Sequence, residues 1–114
     1  MIRTTLIFTA RLCGIAALAL GAAFWQGYAV PLRAHMGVGG LVVLALWGLA
    51  VLSRHRAGGI ALTASLWGAA VPLLGMMQLY PHLDGLHWLL QLAHVLAGLG
   101  AIVLAEILAK RVRA

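Results

Sequence analysis

The chain has 114 residues, of which 64% are hydrophobic and only 9% charged, far from the roughly half-apolar, quarter-charged composition of soluble domains. This excludes a soluble domain and places the chain in a lipid bilayer. The formal charge of +6 does not indicate nucleic acid, because the cations mark the ends of apolar segments rather than forming a basic patch.

Four segments approach the ~20 apolar residues that a bilayer core requires: about 4–26, 34–53, 59–79 and 86–109. The expected fold is all-α, a single four-helix integral membrane bundle over 1–114. A signal peptide is the competing reading of the first segment, where Arg3 and Arg11 precede a run of small and apolar residues. We read it as a retained helix. Arg3, Arg11, Arg54, Arg56, Lys110, Arg111 and Arg113 fall on one side and Arg33 alone on the other. The positive-inside rule then puts both termini and the SRHRAGG loop in the cytoplasm of a bacterial-type inner membrane. Trp25, Tyr28, Tyr80 and Trp88 form an aromatic belt at the outer interface.

The first and third segments align at an offset of 54 as FTARLCGIAALALG and LTASLWGAAVPLLG. The second and fourth align at an offset of 59, matching Ala34 with Ala93, His35 with His94 and Gly39 with Gly98. This predicts a duplicated helical hairpin, two parallel repeats about an axis along the membrane normal. Ala, Gly and Leu dominate all four segments, so chance similarity is the alternative and the histidines alone escape it. Between segments, Gly27 and Pro31 punctuate the first outer loop, and Asp84 is the expected N-cap of the fourth helix. Pro72 predicts a local kink in the third.

Counted to the first cytoplasmic cation, His35 lies 19 residues from Arg54 and His94 lies 16 from Lys110, a difference in depth of about 4.5 Å. In a ring of four helices the second and fourth face one another across the core, so both imidazoles can aim at one point. Gly39 and Gly98, four residues on, share the histidine faces and leave room for a flat macrocycle. Ala97, Ala101 and Ala105, with Gly14, Gly21, Gly68 and Gly75, continue these low surfaces as a slot, although small residues also serve bare helix packing. Two imidazoles saturate the axial positions of a b-type heme, so the expected cofactor is heme b with His35 and His94 on the iron. A chlorin is disfavoured, since its magnesium usually takes one axial ligand. Arg33 and Gln91, with His87, are the expected partners of the propionates. The alternative is that both histidines are interfacial polar residues of a scaffold.

Arg11 and Glu106 are expected to pair. The loop HLDGLH offers His82, Asp84 and His87 to a divalent ion, but capping and solvation explain it more simply. Met76 and Met77 could supply a thioether ligand, and Trp47 and Trp67 a surface against a cofactor edge or a partner. No hydrolase, nucleotide-binding or dithiol constellation is present, and whether the chain is an enzyme stays open.

AHMGVGG around His35 and LYPHLDGLHWLLQLAHVLAG leading into His94 resemble one four-helix half of the heme A synthase family. The resemblance implies that His35 and His94 occupy the paired heme-ligating positions. In that family's catalytic half a glutamate precedes the second-helix histidine; here AVPLRA precedes His35, which makes the cofactor-holding half the better comparison. Small multidrug-type transporters need a carboxylate in the first helix, where this chain has Arg11. The expected role is electron transfer as a membrane cytochrome b subunit of a larger respiratory or photosynthetic complex, exchanging electrons with quinol or a periplasmic carrier. The alternatives are a cofactor-free accessory subunit and a half-size heme-modifying oxidase.

Overall fold

In the computed structural model, residues 1–80 and 85–113 are described, and they form four α-helices: α1 (Ile2–Trp25), α2 (Leu32–Ser53), α3 (Gly58–Met77) and α4 (His87–Arg113). All four are long and apolar enough to cross a membrane. The sequence reading places the ends of α1 to α3 within two residues. It ends α4 too early, because α4 carries its helical backbone into the cationic tail. That extension is favoured by Lys110, Arg111 and Arg113 in the last turn, where cations oppose the negative pole of the helix dipole. The expected Asp84 cap and the His82 and Asp84 parts of the HLDGLH loop lie outside the described residues.

The turn between α1 and α2 shows why Gly27 is where it is. The Gly27 amide bonds the Phe24 carbonyl and the Tyr28 amide bonds the Ala23 carbonyl, both at 3.0 Å. This is a Schellman closure, which needs a left-handed residue just past the cap, and Gly27 has φ of 91°. Pro31 then precedes α2 in an extended conformation, and its carbonyl accepts the amides of Ala34 and His35. α3 continues through Pro72 as one unbroken helix.

The bundle is elongated and flat, 45 × 23 × 16 Å. Sequential helices pack side by side and α4 closes onto α1. α2 and α4 also touch directly, whereas α1 and α3 do not meet. The cross-section is therefore a rhombus with α2 and α4 on its short diagonal. The sequence reading anticipates this facing pair.

Packing differs sharply along the long axis. Every buried residue among those described falls within 7–14, 42–53, 61–68 or 97–109. These stretches form the end of the bundle that also carries the N-terminus, the α2–α3 turn and the C-terminal turn of α4. Leu46, Leu49 and Leu108 are fully enclosed there, wedged among Ala10, Ala45, Ala64, Ala101 and Ala105. The alanines let the backbones approach closely and the leucines fill what remains, the combination that helix packing in lipid requires. Hydroxyls in this region bond back to their own helices, Ser53 to the Ala50 carbonyl and Ser65 to the Ala61 carbonyl. These two hydroxyl protons are thus not left facing an apolar surround. Toward the opposite end, none of the described residues 15–41 or 69–96 is buried. Trp25, Tyr28, Tyr80 and Trp88 stand exposed at that end.

Candidate functional site: a histidine pair in the open half

The open half holds His35 and His94. His35 lies at the start of α2, one turn past Pro31, and His94 lies two turns into α4. Because α2 and α4 face each other on the short diagonal, the rings come together across the bundle with centroids 6.0 Å apart and planes at 63°. The convergence expected from counting residues is met.

Each ring rests on a glycine of the preceding helix. A Cβ at Gly21 of α1 would lie 3.3 Å from His35 Cε1, and one at Gly75 of α3 would lie 3.0 Å from His94 Cε1. Gly21 and Gly75 are partners in the 54-residue offset, so the two contacts are equivalent. A Cβ at either position would make a tight contact, and the imidazole would have to give by a few tenths of an ångström.

The two rings differ in what holds them. His94 Nδ1 lies 3.1 Å from the Val71 carbonyl of α3. A carbonyl oxygen only accepts, so this bond places the proton on Nδ1 and leaves the Nε2 lone pair free. Metal-binding histidines are oriented in the same way, with the far nitrogen donating to a backbone carbonyl or carboxylate. His35 Nδ1 is enclosed without a hydrogen-bond partner. A buried ring nitrogen without a partner is costly, so this atom is an open demand on whatever completes the site.

Two features of the pair would suit a metal-centred cofactor held between His35 and His94. At metal–nitrogen bonds of ~2.0 Å, two imidazoles gripping one metal from opposite sides have centroids about 6 Å apart, which matches the observed separation. Gly39 and Gly98, one turn further along the histidine helices, have nothing within 4 Å of where a Cβ would stand. They face open space and are not helix-packing contacts, and the same holds for Gly37 and Gly40. Among the described residues the two imidazoles are the donors that this pair offers. Among the described residues no group of three or more His, Cys, Asp or Glu side chains assembles, so the remaining ligands would have to come with the cofactor.

The expected slot is shorter than the sequence suggests. Gly14 is filled against Ile102 and Gly68 against Trp47, each so tightly that a Cβ would clash, and Ala97, Ala101 and Ala105 are buried. These small residues close the packed half, and the free surface is confined to the histidine end. Trp47 and Trp67 are likewise structural. The Trp47 indole N–H donates to the Ser65 carbonyl at 3.1 Å, stitching α2 to α3, and that of Trp67 donates to the Ala97 carbonyl at 2.8 Å, stitching α3 to α4. Met76 and Met77 are exposed. Arg33 is exposed and Gln91 half-buried near the starts of the same helices as the histidines. A separate apolar cavity of about 280 Å3 lies between α3 and α4, lined by Trp67, Ala70, Leu74, Ala93, Leu96 and Ala97; neither histidine lines it.

At the packed end, Arg11 of α1 and Glu106 of α4 form the expected pair, through two parallel hydrogen bonds of 2.5 and 2.9 Å. This ion pair and the Trp47–Ser65 contact occupy corresponding positions, Arg11 matching Ser65 at offset 54 and Glu106 matching Trp47 at offset 59. One seam is closed by an ion pair and its counterpart by an indole.

The residues missed by sequence reasoning alone are Val71, whose carbonyl orients His94, and the specific seating roles of Gly21 and Gly75. The offset of 54 signals the glycines; nothing in the sequence signals Val71, which acts through its backbone. Comparison with protein-family models, curated proteins and solved structures yields no match.

Proposed function

We propose that this chain is a multi-pass membrane protein, a duplicated helical hairpin that binds one b-type heme between His35 and His94 and serves as an electron-transfer subunit. The observation that carries the reading is the 6.0 Å histidine pair in the open half, with His94 held through Nδ1. The duplication is supported by corresponding contacts: Gly21 with His35 against Gly75 with His94, and Arg11 with Glu106 against Ser65 with Trp47. The resemblance to one half of the heme A synthase family leads to the same two histidines, and the lack of an acid before His35 argues for cofactor holding over methyl oxidation.

A bound heme would supply a one-electron couple. The chain's part is to fix and insulate it. His94 is locked in the tautomer that presents Nε2, Gly21 and Gly75 set the ring positions, and Gly39 and Gly98 leave the adjoining surface low. Arg33 and Gln91 are the candidates to meet carboxylates at the outer interface. With both imidazoles engaged, His35 and His94 would leave a bound heme no site for substrate, which would favour electron transfer over oxygenase chemistry, and a two-histidine set would suit iron better than the magnesium of a chlorin. Seven cations at the packed end against Arg33 at the other support an orientation with both termini in the cytoplasm of a bacterial-type inner membrane. An electron partner, quinol or a periplasmic carrier, would then approach from the outside, and the apolar outer faces of the helices suit a larger complex.

The test is the visible spectrum of protein expressed with ample heme supply. Reduced Soret and alpha bands that vanish in both His35→Ala and His94→Ala, with helical content retained, are expected. A colourless wild-type protein would overturn the heme assignment and leave the cofactor-free accessory subunit. Heme extraction and mass measurement separate heme b from a modified heme.

A further inference from the structure

The cations of the packed end are not spread evenly over it. Arg3, Arg11, Lys110 and Arg113 converge from the start of α1 and the end of α4 on one cavity of about 320 Å3, whose lining also includes Thr4, Phe8 and Glu106. Glu106 is engaged by Arg11, so the acid neutralises one cation and the lining keeps a surplus of positive charge. Arg3 uses Nε to cap the Ala109 carbonyl at 2.7 Å, which leaves its terminal guanidinium nitrogens available. Arg56 caps the Val112 carbonyl at 2.8 Å. The first turn of α1 carries no acidic residue, so its positive pole adds to the positive charge of this end. Phe8 and Ile7 form an apolar shoulder below the charges, and the Arg11 guanidinium lies 5.8 Å from the centre of the Phe8 ring.

We propose that this α1–α4 cleft binds the phosphodiester headgroup of an anionic phospholipid, with the acyl chains running along the exposed apolar faces of α1 and α4. Basic pockets between membrane helices on the cytoplasmic side are the chemistry that holds such headgroups. Arginine supplies planar, paired donors to phosphate oxygens and lysine a point charge. Positive-inside topology alone would require cations at this end but not their convergence. Arg54 and Arg111, equally cationic and at the same end, lie outside the cleft. The inference rests on the membrane reading and is independent of the heme.

Native mass spectrometry of the full-length protein, released from nanodiscs of phosphatidylcholine mixed with phosphatidylglycerol, tests it. Phosphatidylglycerol should be retained in preference to phosphatidylcholine. The Lys110→Gln/Arg113→Gln variant should lose that retention by roughly thirtyfold in apparent affinity, from about fivefold per cation near the surface. The Arg54→Gln/Arg111→Gln variant removes the same charge and should retain wild-type preference within about twofold. Equal losses in the two variants would reduce the effect to general surface charge and overturn the site. Equal retention of both lipids by folded wild-type protein would overturn it without touching the membrane reading. Displacement of the lipid by millimolar inorganic phosphate, with equal stabilisation, would reassign the cleft to a soluble anion and overturn the lipid proposal.

Discussion

The two ends of this bundle are made from the same kinds of residue and behave differently. At the cationic end leucines interlock with alanines from facing helices, and glycines take up side chains such as Ile102 and Trp47. At the histidine end the same small residues face rings or open space, and none of the described residues is buried. Small residues in a membrane helix therefore do not have one meaning. Where a bulky partner fills the gap they are packing residues, and where none does they leave space for something else. The division separates a packed half from an open one.

Truncation in the packed half should produce the largest effects. Leu46→Ala or Leu108→Ala, each at a fully enclosed position, should destabilise the fold by about 2–5 kcal/mol, read by thermal or denaturant unfolding in detergent. Leu32→Ala, at an exposed position in the open half, should change stability by less than about 1 kcal/mol. Similar losses at both positions would dissolve the contrast between the halves.

Glycine substitutions come next. Gly68→Ala and Gly100→Ala force a Cβ to within 2.5–2.7 Å of Trp47 and Trp67, and overpacking of this kind costs about 1–3 kcal/mol. Replacing Trp47 by Phe removes the donor to the Ser65 carbonyl and keeps the ring, so a smaller loss of about 1 kcal/mol is expected by the same measurement.

The smallest change in stability carries the sharpest test. Gly39→Ala and Gly98→Ala meet open space and improve helix propensity, so the unloaded protein should be unchanged or gain up to about 1 kcal/mol. If the surface beside the histidines is a cradle, the same variants should bind less heme in a titration followed at the Soret band. Undiminished heme binding would confine the site to the imidazoles themselves.

Much of the site was legible because histidine is rare in an apolar helix. His35 and His94 stand out against Ala, Gly and Leu, and their distances from the cationic boundary fix a common depth. Arg11 and Glu106 were legible for the same reason, as full charges in helices that seldom carry them. The small residues were not. Gly14 and Gly39 look alike in the sequence, yet one holds Ile102 and the other faces empty space. Trp47 and Trp67 could equally have edged a cofactor, and only the neighbouring helix shows that their N–H groups are spent on carbonyls.

The sequence by itself determined four helices of membrane length, the charged end and the polar pair at the other end. These depend on composition and on counting along an axis, which 1.5 Å of rise per residue makes reliable. What only the tertiary structure decided was azimuth: which side of each helix faces which neighbour. A helix apolar all round has no single stripe to turn inward. Its rotation is settled by the fit of leucine against alanine across a seam, and that fit exists only once the four helices are assembled.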